Sequence, residues 1–561
     1  MKGIKIDNSL ITNKINYDFL YKKYGDPIDT NLDYDYNIDN LKDVDKGAKL
    51  LKKHIDNNSL IILVTDSDCD GITSAVVLYK GLKDVFNVKN KNLITLVNRR
   101  KNGNGFNKEL VDLIIEKNKE RKIDLLIAAD HGSNDNDVFK YLKENTEMDL
   151  IITDHHTIKK YPTDADIFIN PLREDSDFDK SISGCCVAFM LLLKTYKDYF
   201  KTSNYNDLNI LLPYVAISII TDCMDISLRY NRLLVKLGLR VMNSRKFIFW
   251  EILKSKLGIY KYTETDIGMK IGPLINCGNC LNNEITIYKM LVEENINNID
   301  NLIDKSMGLN NVRKELTNRY AKSVIDAIDV DATVCHIINV EEDAIINGKV
   351  AANVGSTFNK PTVIFSEDKK SDCFIGSGRG IIRGLDILGI MHDIHKNDND
   401  IFIKFGGHEG AFGCNIKKNK YEVFKDLFNK FIKEKYNNIS DSDFIYPDAF
   451  IPASEINIKL YEEQNKYAPF GINYEEPIYL SRLRLERVIN MGSIVKMIFS
   501  PITFKNRIEG LYFFNDTFVT RDNIKDFINQ NVYVAYKLKM SNFRGSYNLT
   551  LHVIRMELID G

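Results

Sequence analysis

Short apolar runs, each followed by a helical pattern, constrain the fold of this chain more than any other feature. The runs of strand length are LIILVTD (60–66), LITLVN (93–98), DLLIAAD (124–130), DLIITD (149–154) and DIFIN (166–170). Helical patterns such as ITSAVVLYKGLKDVF and NKELVDLIIEKNKE lie between them. Because strands that alternate with helices form parallel sheets covered on both faces, we predict an α/β domain built from βαβ units.

Acids and histidines stand where these predicted strands end. They are Asp66, Asp68, Asp70, Asp130, Asp154, His155 and His156. In an open α/β sheet, ligands bind in the crevice beyond the carboxyl ends of the strands, so we expect these side chains to converge. A further acid, Asp222, follows a helical apolar run and is a candidate for the same crevice.

Several carboxylates at one point need a positive charge to compensate them, because like charges repel and buried carboxylates are costly. Oxygen ligands with histidine suit Mn²⁺ or Mg²⁺ better than metals that prefer thiolates. Five or six such ligands exceed the needs of one ion, which favours two ions that share a bridging carboxylate. Solvated loop acids would explain any single aspartate, but they explain three acidic strand ends poorly.

The rest of the chain has other patterns. From Ser183 the apolar spacing is helical, and the polar-rich stretch 284–328 predicts one extended helix as a spacer between lobes. Strands resume near residue 332 with ATVCHIINV, PTVIFS and DCFIGSGR. From VKMIFSPITF onward several strands follow at short spacing, which predicts a small all-β barrel or sandwich.

Composition narrows the class of protein. The chain has 561 residues, too many for one core, and its 44% hydrophobic content is that of a globular protein. A net charge of −1 gives no overall positive field, so a nucleic-acid groove would be a local patch. Nine scattered cysteines predict reduced thiols and a cytoplasmic location. The sequence shows neither a signal-peptide pattern nor a run of membrane-spanning length, so no membrane partner is expected.

Further motifs make a family resemblance specific. DHH at 154–156, with DxDxDG upstream, resembles the DHH phosphoesterase superfamily. VNRRKNGNGFN, INPLRED, ISGCCVAFMLL and DIGMKIGPLINCGNC resemble successive segments of RecJ single-strand exonucleases. IGSGRG and FGGHEGAFG resemble motifs of the DHH-associated domain, and APFGINYEEPIY resembles the start of the C-terminal OB-like domain. The resemblance covers about residues 46–561.

The resemblance implies an α/β architecture of several parts. After a lead segment (1–45), they are a parallel-sheet DHH catalytic domain (46–283), a helical linker (284–329), a DHH-associated α/β substrate-binding domain (330–440) and an OB-like nucleic-acid-binding β domain (441–561).

The resemblance also implies roles for individual residues. The metal ligands would be Asp66, Asp68, Asp70, Asp130, His155 and Asp222. Asp130 would bridge the two ions, Asp154 would orient a ligand, and His156 would contact the scissile phosphate. Two groups of residues are candidate substrate contacts. The first is Arg99 and Arg100. The second, expected on glycine-flanked loops, is Gly376, Ser377, Arg379, Gly406, Gly407 and His408. Taken alone, GSGRG indicates a tight turn, GGH a hairpin corner and Arg99 an ordinary surface arginine.

The sequence departs from the family pattern at three places. Cys280 stands where the family has an arginine, and His131 replaces a small residue. DCMDIS replaces the usual Asp-Val-Val-Pro-Leu after the fourth acid. Cys277 and Cys280 form a lone CxxC, for which two free thiols are the better interpretation than a zinc site.

The implied activity is 5′-to-3′ hydrolysis of single-stranded DNA to 5′-mononucleotides, assisted by two Mn²⁺ or Mg²⁺ ions. The partners would be single-stranded DNA and repair or replication proteins such as a single-strand-binding protein or a helicase. The same chemistry would serve an oligoribonuclease or a cyclic-dinucleotide phosphodiesterase, although a C-terminal β domain favours a polymer substrate. A catalytically inactive replication scaffold is the alternative from another class, and loss of the metal ligands would mark it.

Overall fold

A computed structural model describes most of the chain and divides it into two compact units. The parallel-sheet unit comprises Asp26–Asn311 and Asn465–Glu476, and the β-rich unit comprises Met1–Gly25, Val312–Gln464 and Pro477–Gly561. The residues described are 4–5, 17–29, 37–99, 105–202, 204–327, 336–340, 346–358, 360–368, 371–382, 385–436, 444–491, 494–501, 507–513, 519, 523–543 and 546–559.

The elements follow the chain in this order. The strands are β1 Ile61–Thr65, β2 Leu93–Val97, β3 Leu125–Ala129, β4 Asp149–Thr153, β5 Ile167–Ile169, β6 His336–Val340, β7 Thr362–Asp368, β8 Cys373–Arg379, β9 Phe402–His408, β10 Ala411–Lys417, β11 Ala449–Phe450, β12 Tyr479–Asn490, β13 Val495–Pro501, β14 Ile508–Tyr512, β15 Asn531–Phe543 and β16 Ser546–Leu558. The helices are α1 Asp18–Tyr24, α2 Val44–Asp56, α3 Cys69–Lys80, α4 Lys108–Glu120, α5 Asn136–Asn145, α6 Gly184–Phe200, α7 Leu212–Thr221, α8 Arg229–Met242, α9 Ile248–Lys256, α10 Glu264–Asp266, α11 Gly272–Cys280, α12 Glu284–Val292, α13 Ile296–Ala327, α14 Asn347–Phe358, α15 Ile387–Asn397, α16 Tyr421–Tyr436 and α17 Ile458–Asn465.

The first unit is built on a parallel sheet of order β2-β1-β3-β4-β5. All residues of β1 and β3 are buried, and alternate residues of β1 enter cores on opposite faces: Ile61 and Leu63 on one, Ile62 and Val64 on the other. The predicted α/β sheet with two covered faces is therefore confirmed. Because β1 lies between β2 and β3, the strand order reverses there, and this point of an open sheet is where ligands bind.

One helical prediction changes in the structure. The single helix expected over 284–328 is wrong, because the chain breaks at residues 293–295 between α12 and α13. There the Glu293 carboxylate accepts hydrogen bonds from the backbone N–H groups of Glu294 and Asn295. The short α10 runs into a π-helical turn, Ile267–Ile271, which continues directly into α11. No described helix has the length and apolarity that a membrane crossing requires.

The second unit contains a mixed sheet and a barrel. The mixed sheet has the order β6-β7-β8-β10-β9. The strands β12, β13, β14, β16 and β15 follow one another in the other sheet, and pairing between β12 and β15 closes it into a five-stranded barrel. The predicted C-terminal β domain is confirmed as a closed barrel, whose core includes Leu483, Phe499, Tyr512 and Tyr536.

The sequence predicted loops for the glycine motifs of this unit, but in the structure they lie in strands. Gly376, Ser377 and Arg379 lie within β8, and Gly406, Gly407 and His408 end β9. Both Arg379 and His408 pair with Ala411 of β10, from its two sides. The glycines of β8 have a packing reason, because a Cβ at Gly376 would come within 2.3 Å of the Phe365 ring.

Candidate metal centre

The acidic strand ends meet at the reversal point of the parallel sheet. Asp66 follows β1, and Asp130 follows β3, whose last residue pairs with the last residue of β1. Asp154 follows β4, which is the next strand along the sheet. Three successive strands therefore deliver carboxylates to one edge, as the sequence predicted.

The DxDxDG loop turns directly from β1 into α3. The Asp68 carboxylate caps α3 by accepting a hydrogen bond from the Gly71 backbone N–H at 3.0 Å, and Asp66 accepts one from the Ser67 N–H at 2.8 Å. A Cβ at Gly71 would lie 2.3 Å from the backbone oxygen of Asp66, so only glycine permits this tight turn. The spacing of the acids thus has a local cause: it places three carboxylates on one turn.

The third acid of the loop, Asp70, is buried at the N-terminus of α6. Its carboxylate accepts hydrogen bonds from the backbone N–H groups of Gly184 at 2.7 Å and Cys185 at 2.8 Å, and from the Ser218 hydroxyl at 2.5 Å. A helix N-terminus stabilises a negative charge, so this carboxylate is held in place by three donors. Its Oδ2 atom lies 3.6 Å from Nε2 of His155.

Around His155 the remaining acids of the cluster come together. Its Nε2 atom lies 3.3 Å from Oδ1 of Asp130 and 3.5 Å from Oδ2 of Asp222, the residue that ends α7. Asp130 is 2% exposed, has a left-handed backbone (φ 62°), and its Oδ1 has no hydrogen-bond partner among the described residues. A Cβ at Gly184 would lie 2.5 Å from that oxygen.

Asp154 and His156 form a pair behind this cluster. The buried Asp154 carboxylate accepts hydrogen bonds from Nδ1 of His156 at 2.8 Å, from the His155 backbone N–H at 2.7 Å and from the Ser133 backbone N–H at 2.9 Å. The ring of His156 is half exposed, so its other nitrogen is free to meet a ligand. The side-chain amide of Asn170 donates to the Ser133 hydroxyl and to the His156 carbonyl, which joins the loops after β3, β4 and β5.

Burial and mutual repulsion raise the pKa values of several carboxyl groups in the cluster. Burial and the charge of Asp68 raise the pKa of Asp66 to about 7, and burial with the charges of Asp70 and Asp68 raises the pKa of Asp222 to about 8. Burial and the neighbouring aspartates also raise the pKa values of Asp68 and Asp130. Raised pKa values in a cluster of buried carboxyl groups are typical of a cation-binding site, because a bound cation would favour their ionised forms.

Histidine pKa values separate the two members of the DHH motif. Burial lowers the pKa of His155, which favours the neutral ring that can ligate a metal. For His156 burial acts in the same direction, but the hydrogen bond and charge of Asp154 outweigh it and raise the pKa to about 9. Asp154 therefore favours the protonated form of His156, which lies beside a cluster of carboxyl groups.

The donor set fits divalent metal ions. Three groups of side chains have ligand atoms that lie within 4.8 Å of one another: Asp66, Asp68 and Asp130; Asp70, His155 and Asp222; and Asp130, His155 and His156. Carboxylate oxygens with one or two imidazoles suit Mn²⁺ or Mg²⁺. The unpartnered Oδ1 of Asp130 is a buried acceptor that such an ion would satisfy.

Sequence reasoning missed the residues that hold these acids in place. Gly184 and Ser218 support Asp70, and the side-chain oxygen of Asn276 accepts a hydrogen bond from the Cys69 backbone N–H. A signal existed for all three, because they lie in the segments ISGCCVAFMLL, YVAISIITDCMDIS and DIGMKIGPLINCGNC, each of which resembles a family segment. The resemblance gave these three residues no role of their own.

The other predicted site residues are not members of these groups of ligand atoms. Arg99 is exposed and Arg100 lies outside the described residues. In the β-rich unit the half-buried Arg379 guanidinium donates to the Ser377 hydroxyl and to the Gly378 carbonyl, and no described carboxylate is paired with it. Cys277 and Cys280 are buried free thiols, and no group of metal ligands among the described residues includes them.

Aromatic rings on the surface of such a barrel can stack on the bases of a single strand. Tyr512 and Tyr536 are buried in the core, whereas Phe513 is exposed and Tyr533 is half-buried. Phe514 lies outside the described residues. Alternation along the strands therefore leaves only some of these rings available to a ligand.

Comparison with family models assigns three domains in order. The models matched are the DHH family N-terminal domain at residues 60–219, the DHHA1 domain at 331–434 and the RecJ OB domain at 447–555. Together with the acidic cluster at the sheet reversal, these matches support a DHH-type hydrolase with two further domains after the DHH domain. In their set and order the three matched domains resemble RecJ.

Similar proteins extend over the whole chain. The single-stranded-DNA-specific exonuclease RecJ of Haemophilus influenzae is 25% identical over 100% of this chain and 99% of its own length. Its counterpart from Salmonella typhimurium is 26% identical over 91% and 89%. The crystal structure of RecJ in complex with Mn²⁺ from Thermus thermophilus has a TM-score of 0.73 and 18% identity, and the match covers 93% of this chain and 72% of that one.

Proposed function

We propose that the chain is a metal-dependent exonuclease that hydrolyses single-stranded DNA from the 5′ end and releases 5′-mononucleotides. The observation that carries the proposal is the carboxylate–histidine cluster at the sheet reversal, in a chain that also contains a RecJ OB domain. Relatives that match nearly the full length of the chain are single-stranded-DNA-specific exonucleases by name. An inactive scaffold would not need to keep this set of acids together.

Asp66, Asp68 and Asp130 would hold one ion, and Asp70, His155 and Asp222 would hold the other. Asp130 lies 3.3 Å from His155, and its Oδ1 has no hydrogen-bond partner among the described residues, so it would serve as a ligand shared by both ions. Bound Mn²⁺ or Mg²⁺ ions would supply an activated water and stabilise the charge that develops on the phosphate.

The protein's own groups would position the scissile phosphate. Asp154 holds Nδ1 of His156, so the exposed side of this ring can donate a hydrogen bond to a phosphate oxygen while the carboxylate keeps the ring charged. No protein nucleophile is required. Asp70 and Asp154 have their oxygens satisfied by fixed backbone donors, which orients them before the substrate arrives.

The second unit would hold the strand. Arg379, which has no acidic partner among the described residues, is proposed to bind a substrate phosphate together with Ser377. Gly376, the third candidate on this strand, is buried between β7 and β10, so its backbone pairs within the sheet and is not assigned a substrate contact. Gly406, Gly407 and His408, exposed at the end of β9, are proposed to contact substrate as well. In the first unit, the exposed Arg99 is proposed to contact a substrate phosphate. We assign catalysis to residues 46–283, substrate grip to 330–440 and strand holding to 441–561, with 284–329 as the linker and 1–45 as the lead.

The proposed partners are single-stranded DNA and repair or replication proteins, such as a single-strand-binding protein or a helicase. All eight cysteines of the described part of the chain are free thiols, which supports a reducing compartment, the cytoplasm.

The test is digestion of single strands labelled at either end. Strands of DNA and RNA, duplex DNA and circular single-stranded DNA are incubated with Mn²⁺, with Mg²⁺ and with chelator. We expect a 5′ label to appear at once as mononucleotide, a 3′ label to shorten stepwise, and the circle and the chelated samples to stay intact. Asp130→Asn serves as the inactive control. Cleavage of the circle, or a faster release of the 3′ label, would refute the proposal.

A further inference from the structure

A segment far along the chain returns to the metal centre. Asn465–Glu476 lies between α17 and β12 in sequence, within the range expected for the C-terminal domain, yet it packs as part of the parallel-sheet unit. It contains the APFGINYEE motif, and we call it the clasp. Its contacts concentrate on the loop 223–227 and on α8, immediately after the candidate ligand Asp222.

The clasp binds this loop through backbone and side chain. The Ile226 backbone N–H donates to the Ile472 carbonyl at 2.9 Å, and the Asn473 side-chain amide donates to Oδ2 of Asp225 at 3.0 Å. A Cβ at Gly471 would lie 2.6 Å from the Ile226 side chain, so the two segments are packed too closely for any residue other than glycine. The clasp therefore follows the loop at hydrogen-bonding distance.

Aromatic and basic side chains anchor the clasp on α8. The Arg232 guanidinium lies 4.3 Å from the centre of the Tyr474 ring, which stacks on Phe470 at 5.9 Å. The ammonium group of Lys236 donates to the Lys466 carbonyl at 3.1 Å. These contacts hold the clasp against α8 and so fix its position next to the loop 223–227.

The loop that it contacts is strained at its first residue. Cys223 has a left-handed backbone (φ 56°), which is costly for a residue with a side chain and persists only where surrounding contacts enforce it. On one side these contacts come from Ser181, whose hydroxyl accepts a hydrogen bond from the Asp225 backbone N–H at 3.1 Å, and from Asn231, whose amide donates to the Asp225 carbonyl. On the other side they come from the clasp.

We propose that the clasp is a positioning element of the metal centre: Asn473, through Asp225, holds the loop 223–227 so that the Asp222 carboxylate stays within reach of His155. The inference rests on the proposed function, since Asp222 matters to catalysis only if the cluster binds metal. It assigns a role in the catalytic unit to a motif that the sequence places at the start of the C-terminal domain.

The test removes the Asn473 side chain without adding strain. Asn473 has φ 57°, so Asn473→Gly loses the amide but keeps the backbone favourable. The matched control is Asn87→Gly, an exposed asparagine of the same unit with the same φ. Mn²⁺ affinity is measured by electron paramagnetic resonance of the free ion, and unfolding by circular dichroism in chelator.

We expect Asn473→Gly to weaken binding of one Mn²⁺ by roughly three- to tenfold, below the full effect of losing a direct partner of a ligand. Its unfolding midpoint in chelator should match that of Asn87→Gly, and saturating Mn²⁺ should restore the wild-type kcat. Asp225→Asn keeps an acceptor for the Asn473 amide and should bind Mn²⁺ like wild type, whereas Asp225→Ala should resemble Asn473→Gly.

Three results would overturn the inference, and they can be told apart. If wild type binds Mn²⁺ and Asn473→Gly binds it equally well, the clasp does not position Asp222, and the proposed function stands. If wild type binds no Mn²⁺, both proposals fall. Equal weakening in Asp225→Asn and Asp225→Ala would show that Asp225 acts through its charge and not through the clasp.

Discussion

Asp66 should make the metal-free protein less stable as the pH rises. Its pKa is raised from 3.8 to about 7 in the folded chain, by burial and by the charge of Asp68. Between these two values the folded chain binds more protons than the unfolded chain, so the free energy of unfolding falls with increasing pH. The stabilisation is complete below the unfolded pKa and is lost as the pH passes through about 7.

The size of the effect follows from the shift. Each pKa unit corresponds to about 1.4 kcal/mol, so Asp66 titrating alone would cost about 4 kcal/mol at neutral pH. Because Asp66 and Asp68 share their repulsion, removing one charge relieves both, and we expect Asp66→Asn to recover about 2–4 kcal/mol at pH 8. For a unit of this size that is roughly 5–10 °C in the unfolding midpoint.

Thermal unfolding of wild type and Asp66→Asn is followed in chelator from pH 5 to pH 8, with Glu116→Gln, an exposed acid on α4, as the control. The advantage of Asp66→Asn should grow with pH, and the control should follow wild type. In saturating Mn²⁺ we expect wild type to have the higher unfolding midpoint. The bound ion would compensate the charge of Asp66 in wild type, whereas the variant would bind the ion with one ligand fewer. Parallel pH curves for wild type and Asp66→Asn would refute the electrostatic argument.

Three further predictions concern other residues. Gly184→Ala should weaken Mn²⁺ binding at least tenfold, because the new Cβ would lie 2.5 Å from Oδ1 of Asp130; Gly308→Ala, which meets nothing within 4 Å, should bind Mn²⁺ normally. Arg379→Ala should raise KM about 10- to 100-fold on 5′-phosphorylated strands and less on 5′-hydroxyl strands; equal losses would exclude a terminal-phosphate contact. Arg482 lies on the exposed face of β12 beside Tyr533. Arg482→Ala should lower the affinity for long single strands several-fold and should change the cleavage rate of short ones less.

The position of the metal centre could be predicted from the sequence because its signal is local. An apolar run of strand length followed by acids specifies both the strand and the end that the acids occupy, and the parallel arrangement then brings these ends together. The hydrogen bonds that fix the acids could not be predicted in this way. Ser218 reaches Asp70 from α7, a contact that depends on how two helices pack and leaves no pattern in either of them.

The glycine motifs show the opposite limit. Glycine next to polar residues is typical of turns, and GSGRG and GGH were expected on loops for this reason. In the structure Gly376 and Gly378 lie in the middle of β8, because the rings of Phe365 and Phe412 occupy the space that a Cβ would need. Pairing with β7 and β10 makes this segment a strand, and the aromatic rings on those two strands account for its glycines. Neither partner is part of the local sequence pattern.

The parallel-sheet unit is assembled from two stretches of sequence, and this affects the order in which a growing chain matures. Translation delivers all the acids of the centre early, from Asp66 to Asp222, but Asn465–Glu476 leaves the ribosome only after much of the β-rich unit has been made. Domains generally fold as units during synthesis, so this one must wait for its last segment. A nascent chain, or one truncated before residue 465, would carry the acids without the support behind Asp222. All the contacts around the centre can therefore form only after residues 465–476 have been synthesised.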